Sequence, residues 1–168
     1  MSKKFITNDL IKKIEKLTKQ RMAEQPIVSL DQFRDAKQKM HPQVILVIED
    51  DETQRHSLKR ILESSGYQVK LAADAAELTQ ILDGDNEIHL ILMDVGLPWI
   101  NGFELAQMMK DHRDLKKIPL VFLSGQADEK DFEKAREVGA DDYIKKPFDI
   151  EKLKSRISEL LAEKSLPK

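Results

Sequence analysis

Five side chains of this sequence stand just past short strand-like runs and carry groups that could act together. Glu49 and Asp50 follow the apolar run 44–48, and Asp94 follows 90–93. Ser124 follows 118–123, and Lys146 follows 142–145. Three carboxylates gathered in one place repel, which raises one or more of their pKa values unless a cation is present. Hard oxygen ligands without His or Cys favour Mg²⁺ over zinc. The set suits phosphoryl transfer: a carboxylate as nucleophile, a divalent ion on phosphoryl oxygens, an ammonium on another oxygen and a hydroxyl on the third. No one of these groups would suffice alone.

The elements that must bring them together can be read from periodicity. The run 90–93 is too short for a helix and continuous enough for a strand buried on both faces. It stops at Asp94; Gly96, Pro98 and Asn101-Gly102 then mark a loop, and Phe103, Leu105, Ala106, Met108 and Met109 recur at helical spacing. The same alternation repeats along the chain. Strands are predicted at 44–48, 67–71, 90–93, 118–123 and 142–145. Helices are predicted at 53–65, 74–82, from 103 onward, at 128–138 and at 149–162, the last with one stripe of Ile150, Leu153, Ile157, Leu160 and Leu161. Gly66 and Gly139 stand where two of these helices should stop. Strand and helix in strict alternation predict an α/β fold, a five-stranded parallel sheet with helices on both faces and right-handed crossovers. In such a sheet the carboxyl ends of all strands share one rim, where ligands and chemistry are placed.

Residues 1–42 differ in character. Leu10, Ile11, Ile14 and Leu17 recur at helical spacing among lysines, and Ser29-Leu30-Asp31-Gln32 offers a start for a second helix. Two short amphipathic helices cannot bury their stripes on each other, so an N-terminal helical extension for docking or dimerisation is expected at 1–42, ahead of a main domain at 43–168. The 168 residues carry a net charge of −2, giving no general pull toward nucleic acid or an anionic membrane, and contain no cysteine. No apolar run approaches the roughly 18 residues that span a bilayer, and there is no signal-peptide core. A cytoplasmic protein is expected, with no membrane insertion and no direct nucleic-acid contact.

Four ordered motifs now resemble one family, the CheY-like receiver domain of two-component response regulators. They are Ile48-Glu49-Asp50-Asp51, Met93-Asp94-Val95-Gly96-Leu97-Pro98 with Asn101-Gly102, Leu123-Ser124-Gly125, and the run from Gly139 to Phe148 that contains Asp142-Tyr143-Ile144-Lys145-Lys146-Pro147. The resemblance spans about Val44 to the last helix and implies a flavodoxin-like strand order 2-1-3-4-5. It implies that Asp94 is the phosphoacceptor, and that Asp50, the Gly96 carbonyl and Glu49 (directly or through water) ligate Mg²⁺. Ser124 and Lys146 would hold phosphoryl oxygens, Ser124 and Tyr143 would form the switch, and the Lys146–Pro147 bond would be cis. The phosphodonor would be a histidine kinase or a histidine phosphotransfer protein. The protein would catalyse only its own phosphorylation and dephosphorylation. Phosphorylation would draw Ser124 toward the phosphoryl group and turn Tyr143 inward.

The sequence departs mildly from the pattern. Glu49 replaces the commoner Asp, Ser124 stands where Thr is more usual, and Gly96 and Gln126 offer no carboxylate to assist an attacking water, so a persistent phosphoform is expected. The sequence ends soon after the last helix, so output is expected through an unknown protein target, with a homodimer possible. Asp142 and Arg156 match positions that pair across receiver dimers, whereas Phe132 and Lys152 do not match that set. Asp51 reads as an exposed helix-start charge, Lys145 as solvent-facing, and the scattered histidines as surface or capping residues. Trp99 reads as local packing in the loop after Asp94. Other classes fit less well. A haloacid-dehalogenase-like phosphatase would put its nucleophile at Glu49, the wrong side chain. A flavin phosphate would be repelled by the acidic first loop. A binding module with a structural receiver, in which the helices of residues 1–42 mediate dimerisation or targeting, would leave the site residues without a purpose.

Overall fold

The computed structural model describes residues 41–85, 87–126 and 128–165, together with Lys12 and Lys16, which are helical and exposed. The rest of the two helices expected before residue 42 lies outside the described residues. Among the described residues the main domain runs β1 (Val44–Ile48), α1 (Glu52–Ser64), β2 (Gln68–Ala72), α2 (Ala75–Leu82), β3 (Leu90–Asp94), α3 (Gly102–Asp111), β4 (Leu120–Ser124), α4 (Glu129–Glu137), β5 (Asp142–Lys145) and α5 (Ile150–Ser165). The sheet order is β2-β1-β3-β4-β5 and every pair is parallel. The expected topology is met.

Alternation along the central strands divides the core in two. Leu46, Ile48, Ile91, Met93, Leu120 and Phe122 face one side and pack with Leu78, Phe103, Ala106, Met109 and Ala135 of α2, α3 and α4. Ile45, Val47, Leu90, Leu92, Val121 and Leu123 face the other and pack with Leu58 and Leu62 of α1 and Leu153, Ile157, Leu160 and Leu161 of α5. Burying a side chain of this size contributes about 1.5–3 kcal/mol. The two packed faces therefore hold β1, β3 and β4 in fixed register, and with them the residues at the strand ends.

The starts of four helices are fixed at the same rim. Asp51, Asp74, Asn101 and Asp128 each accept a hydrogen bond from a backbone N–H in the first turn of α1, α2, α3 and α4 respectively. Each such cap contributes about 1 kcal/mol. Asp51 is thus a helix-start residue, as expected, and Asn101, one of the preferred cap types, caps α3. At the opposite rim Gly66 and Gly139 take φ of 87° and 77°, while Tyr67 N–H reaches the Leu62 carbonyl and Ala140 N–H that of Ala135. These left-handed closures need glycine.

Four expectations are corrected. Ile150 is 46% exposed at the first turn of α5, so it leaves the buried stripe, and Met108 is 62% exposed on α3. The last helix runs on to Ser165, beyond the expected 162. His89 is neither a cap nor a free surface residue: its Nδ1 accepts from Val44 N–H at 3.0 Å while its backbone N–H donates to the Val44 carbonyl. The residue thus continues the β1–β3 ladder by one rung.

Candidate functional site

The rim at the carboxyl ends of the strands collects the residues expected there. The Glu49 N–H donates to the Ala72 carbonyl at the last rung of β1 with β2, Val95 N–H to the Leu123 carbonyl, and Lys146 N–H to the Ser124 carbonyl at 2.7 Å. Backbone pairing alone thus places Glu49, Asp94, Ser124 and Lys146 side by side. Glu49 at 2% and Ser124 at 6% exposure are the polar side chains that the core buries among the described residues. Polar groups buried without a task are costly, so their place at this rim is informative.

Lys146 bridges the acids. Its Nζ donates to Glu49 Oε2 at 2.6 Å and to Asp94 Oδ1 at 3.0 Å, and the Lys146–Pro147 bond is cis as expected. The other Glu49 oxygen, Oε1, accepts from Asp51 N–H at 3.2 Å. Burial pushes the Glu49 carboxyl above its ordinary range and the charge of Asp94 adds to this, while the bond to Lys146 offsets only part. Burial pulls the Lys146 ammonium down, but its bonds to Glu49 and Asp94 outweigh that and hold it above the usual lysine value. Both directions agree with the charge balance: three carboxylates and a single ammonium leave negative charge in excess.

That excess is what a cation would meet. One carboxylate oxygen from each of Glu49, Asp50 and Asp94 lies within 4.8 Å of the others. The donors are all hard oxygens, so the set fits Mg²⁺ rather than a softer metal. Gly96 lies against the same group, since a Cβ there would stand 3.5 Å from Asp94 Oδ2. Asp94 therefore offers Oδ1 to the lysine and turns Oδ2 toward Gly96.

Ser124 and Tyr143 both turn to one backbone acceptor. The Ser124 hydroxyl donates to the Gln126 carbonyl at 2.6 Å and accepts from Gln126 N–H, so it faces the loop after β4 rather than Asp94. Tyr143 already lies inward at 8% exposure, and its hydroxyl donates to the same Gln126 carbonyl at 2.7 Å. Burial raises the phenol pKa, so that hydroxyl stays a donor. Phe132, 46% exposed on α4, packs its ring 4.7 Å from that of Tyr143. The serine and tyrosine thus share one acceptor between them.

Trp99 is half-buried, and its Nε1 donates to the Ala73 carbonyl at 3.2 Å, tying the loop after β3 to the one after β2. Arg55 was not singled out in the sequence. Its Nη1 donates to the carbonyls of Glu49 and Asp50 at 2.9 and 3.0 Å, behind the acids. The signal was its position four residues after Asp51, one helical turn on, which turns its side chain back toward the strand end. Lys145 is exposed, as expected. Asp142 and Arg156, candidates for pairing across a dimer, hydrogen-bond to each other within the chain, and Arg156 also holds Glu159.

Comparison with known proteins agrees with this fold. The sequence pattern described as the response regulator receiver domain matches residues 45–158. The aerobic respiration control protein ArcA of Escherichia coli strain K12 is 42% identical over 118 residues, covering 70% of this chain and 48% of ArcA. The transcriptional regulatory protein GltR of Pseudomonas aeruginosa is 37% identical over 117 residues, again 70% of this chain and 48% of the relative. The chain thus spans about half the length of the curated relatives it matches. Among solved structures, a CheY-like receiver domain protein from Methanospirillum hungatei JF-1 superposes with a TM-score of 0.66 at 32% identity, covering 73% of this chain and 95% of that one. The receiver domain of a histidine kinase from Syntrophus aciditrophicus gives 0.67 at 34% identity, covering 75% and 95%. Among the described residues no helix is long and apolar enough to cross a membrane.

Proposed function

The chain belongs to the response regulator receiver family, and we propose that it accepts a phosphoryl group on Asp94 from a phosphohistidine donor in a Mg²⁺-dependent reaction. The observation that carries this reading is the Lys146 ammonium within hydrogen-bond reach of both Asp94 and Glu49. An Asp94 oxygen attacks phosphorus in line with the leaving nitrogen of a phosphohistidine ring protonated on its other nitrogen; the N–P bonding pair stays with the ring, which leaves as neutral imidazole. Lys146 offsets the charge on one phosphoryl oxygen, already in place before the donor arrives. Glu49, Asp50, Asp94 and the Gly96 carbonyl would hold Mg²⁺, which supplies charge neutralisation on the phosphoryl oxygens when bound.

Ser124 has to leave the Gln126 carbonyl to reach a phosphoryl oxygen. When it does so, Tyr143 becomes the remaining side-chain donor on that carbonyl, and Phe132 beside it carries the change to the surface of α4, β5 and α5. Output is then read by a protein partner in the cytoplasm. The protein has no substrate to turn over apart from its own phosphoryl group.

Phosphotransfer profiling tests this. Autophosphorylated histidine kinases and phosphotransfer proteins of the host are mixed with the chain, with and without Mg²⁺. Label should move to the chain from at least one donor, only with Mg²⁺, and should persist after the donor is removed, because residues 96 and 126 bring no carboxylate to a hydrolytic water. Transfer from none of them contradicts the proposed function. Prompt loss of label contradicts the persistence.

A further inference from the structure

The backbone that carries Glu49 and Asp50 has a gap in its support. The β1–β2 ladder ends at Glu49 N–H, and the α1 hydrogen bonds begin at the Asp51 carbonyl, which accepts from Arg55 N–H. The Glu49 and Asp50 carbonyls fall between these two systems. Both are held by one group, Arg55 Nη1, at 2.9 and 3.0 Å. Among the described residues no carboxylate lies within ion-pair reach of Arg55, although it stands beside an acidic cluster. Its Nη1 is bonded to main-chain oxygens, and the residue is half-buried there.

We propose that Arg55 is a positioning residue for the cation site: by clamping two consecutive peptide carbonyls it fixes where the Glu49 and Asp50 carboxylates stand. This rests on the reading of the acids as a Mg²⁺ site. A peptide unit free to rotate swings the Cα–Cβ bond of the residue beside it, so without the clamp the Asp50 carboxylate samples directions away from Asp94 and Glu49. Groups that orient metal ligands from behind typically matter about tenfold or more to metal affinity. The two physical roles open to Arg55 predict opposite signs. If it acted only as a nearby positive charge, its removal would tighten binding of a second cation. If it positions the ligands, its removal weakens binding.

The test compares wild type, Arg55→Met and Arg55→Lys by calorimetric Mg²⁺ titration, with circular dichroism used to confirm that each is folded. Arg55→Met keeps the aliphatic stem and loses both charge and donors, and should bind Mg²⁺ about tenfold more weakly. Arg55→Lys keeps a donor on a flexible stem and should fall between the two. Initial rates of labelling by acetyl phosphate should need more Mg²⁺ in Arg55→Met yet approach the wild-type maximum when Mg²⁺ saturates. A loss of folded protein alone would lower that maximum and leave the midpoint in place. Unchanged or tighter binding by Arg55→Met overturns the proposal while leaving the cation site standing. Absence of Mg²⁺ binding by the wild type overturns the site itself, and the clamp with it.

Discussion

Lys146→Ala is expected to slow phosphoryl uptake by about a hundredfold, the usual cost of deleting one preorganised donor to developing charge. It should also lower the stability of the metal-free protein by roughly 3 kcal/mol, the lower end of the loss incurred when one partner of a buried ion pair is removed. Two facts set the size. Glu49 is 2% exposed and loses its 2.6 Å partner, and Asp94 loses its own at the same time. The lower end applies because the lysine side chain itself is 17% exposed. The effect should depend on pH with a definite sign. The Glu49 carboxyl is already raised above its unfolded value by burial and by Asp94. A raised carboxyl costs nothing below its unfolded pKa, and its cost grows as pH climbs to the folded pKa. The gap between variant and wild type should therefore widen from acid to neutral pH. Mg²⁺ should recover more stability in the variant than in the wild type, since it replaces the missing positive charge. Urea unfolding at two pH values, with and without Mg²⁺, reads all of this; a gap unaffected by either would mean that only packing was lost.

Gly102→Ala is the second large effect, and here helix propensity predicts the wrong sign. Gly102 opens α3, where alanine would ordinarily gain up to about 1 kcal/mol. A Cβ at this position, however, would stand 2.8 Å from the Asp94 carbonyl oxygen, 2.8 Å from Val95 Cα and 3.0 Å from the Val95 carbonyl oxygen. These are backbone atoms that cannot turn aside, and the Gly102 N–H is itself bonded to the Val95 carbonyl at 3.1 Å. Overpacking of this kind costs about 1–3 kcal/mol, which exceeds the propensity gain. The strand end that yields is the one bearing Asp94. Thermal unfolding should show a net loss of about 1–2 kcal/mol, and labelling should slow even among folded molecules. A variant as stable and as reactive as wild type would mean that the loop relaxes without moving Asp94.

How much of this was legible beforehand depends on the physics involved. The parallel sheet was readable because every central strand is an unbroken apolar run and every crossover carries a helix; its order came only from the resemblance to the receiver family. Glu49, Asp94, Ser124 and Lys146 were readable as neighbours because parallel strands end at a common rim. The side-chain orientation at that rim was not: the Ser124 hydroxyl and Tyr143 both turn to the Gln126 carbonyl, a backbone acceptor that no residue type advertises. Arg55 was missed for the same reason, since its partners are carbonyls. Ile150 was misread because helical spacing marks a stripe but not where the first turn of α5 leaves the sheet. The contact of Asp142 with Arg156 within the chain was not readable either, since it joins the start of β5 to α5 across 14 residues of sequence.

The central claim is that Asp94 takes a phosphoryl group in a pocket completed by a cation. Intact-mass analysis after incubation with acetyl phosphate tests it most directly. Wild type with Mg²⁺ should gain one phosphoryl group, while wild type with a chelator and Asp94→Ala with Mg²⁺ should gain none. Equal labelling of Asp94→Ala, or a wild type that stays unlabelled at saturating Mg²⁺, would contradict it.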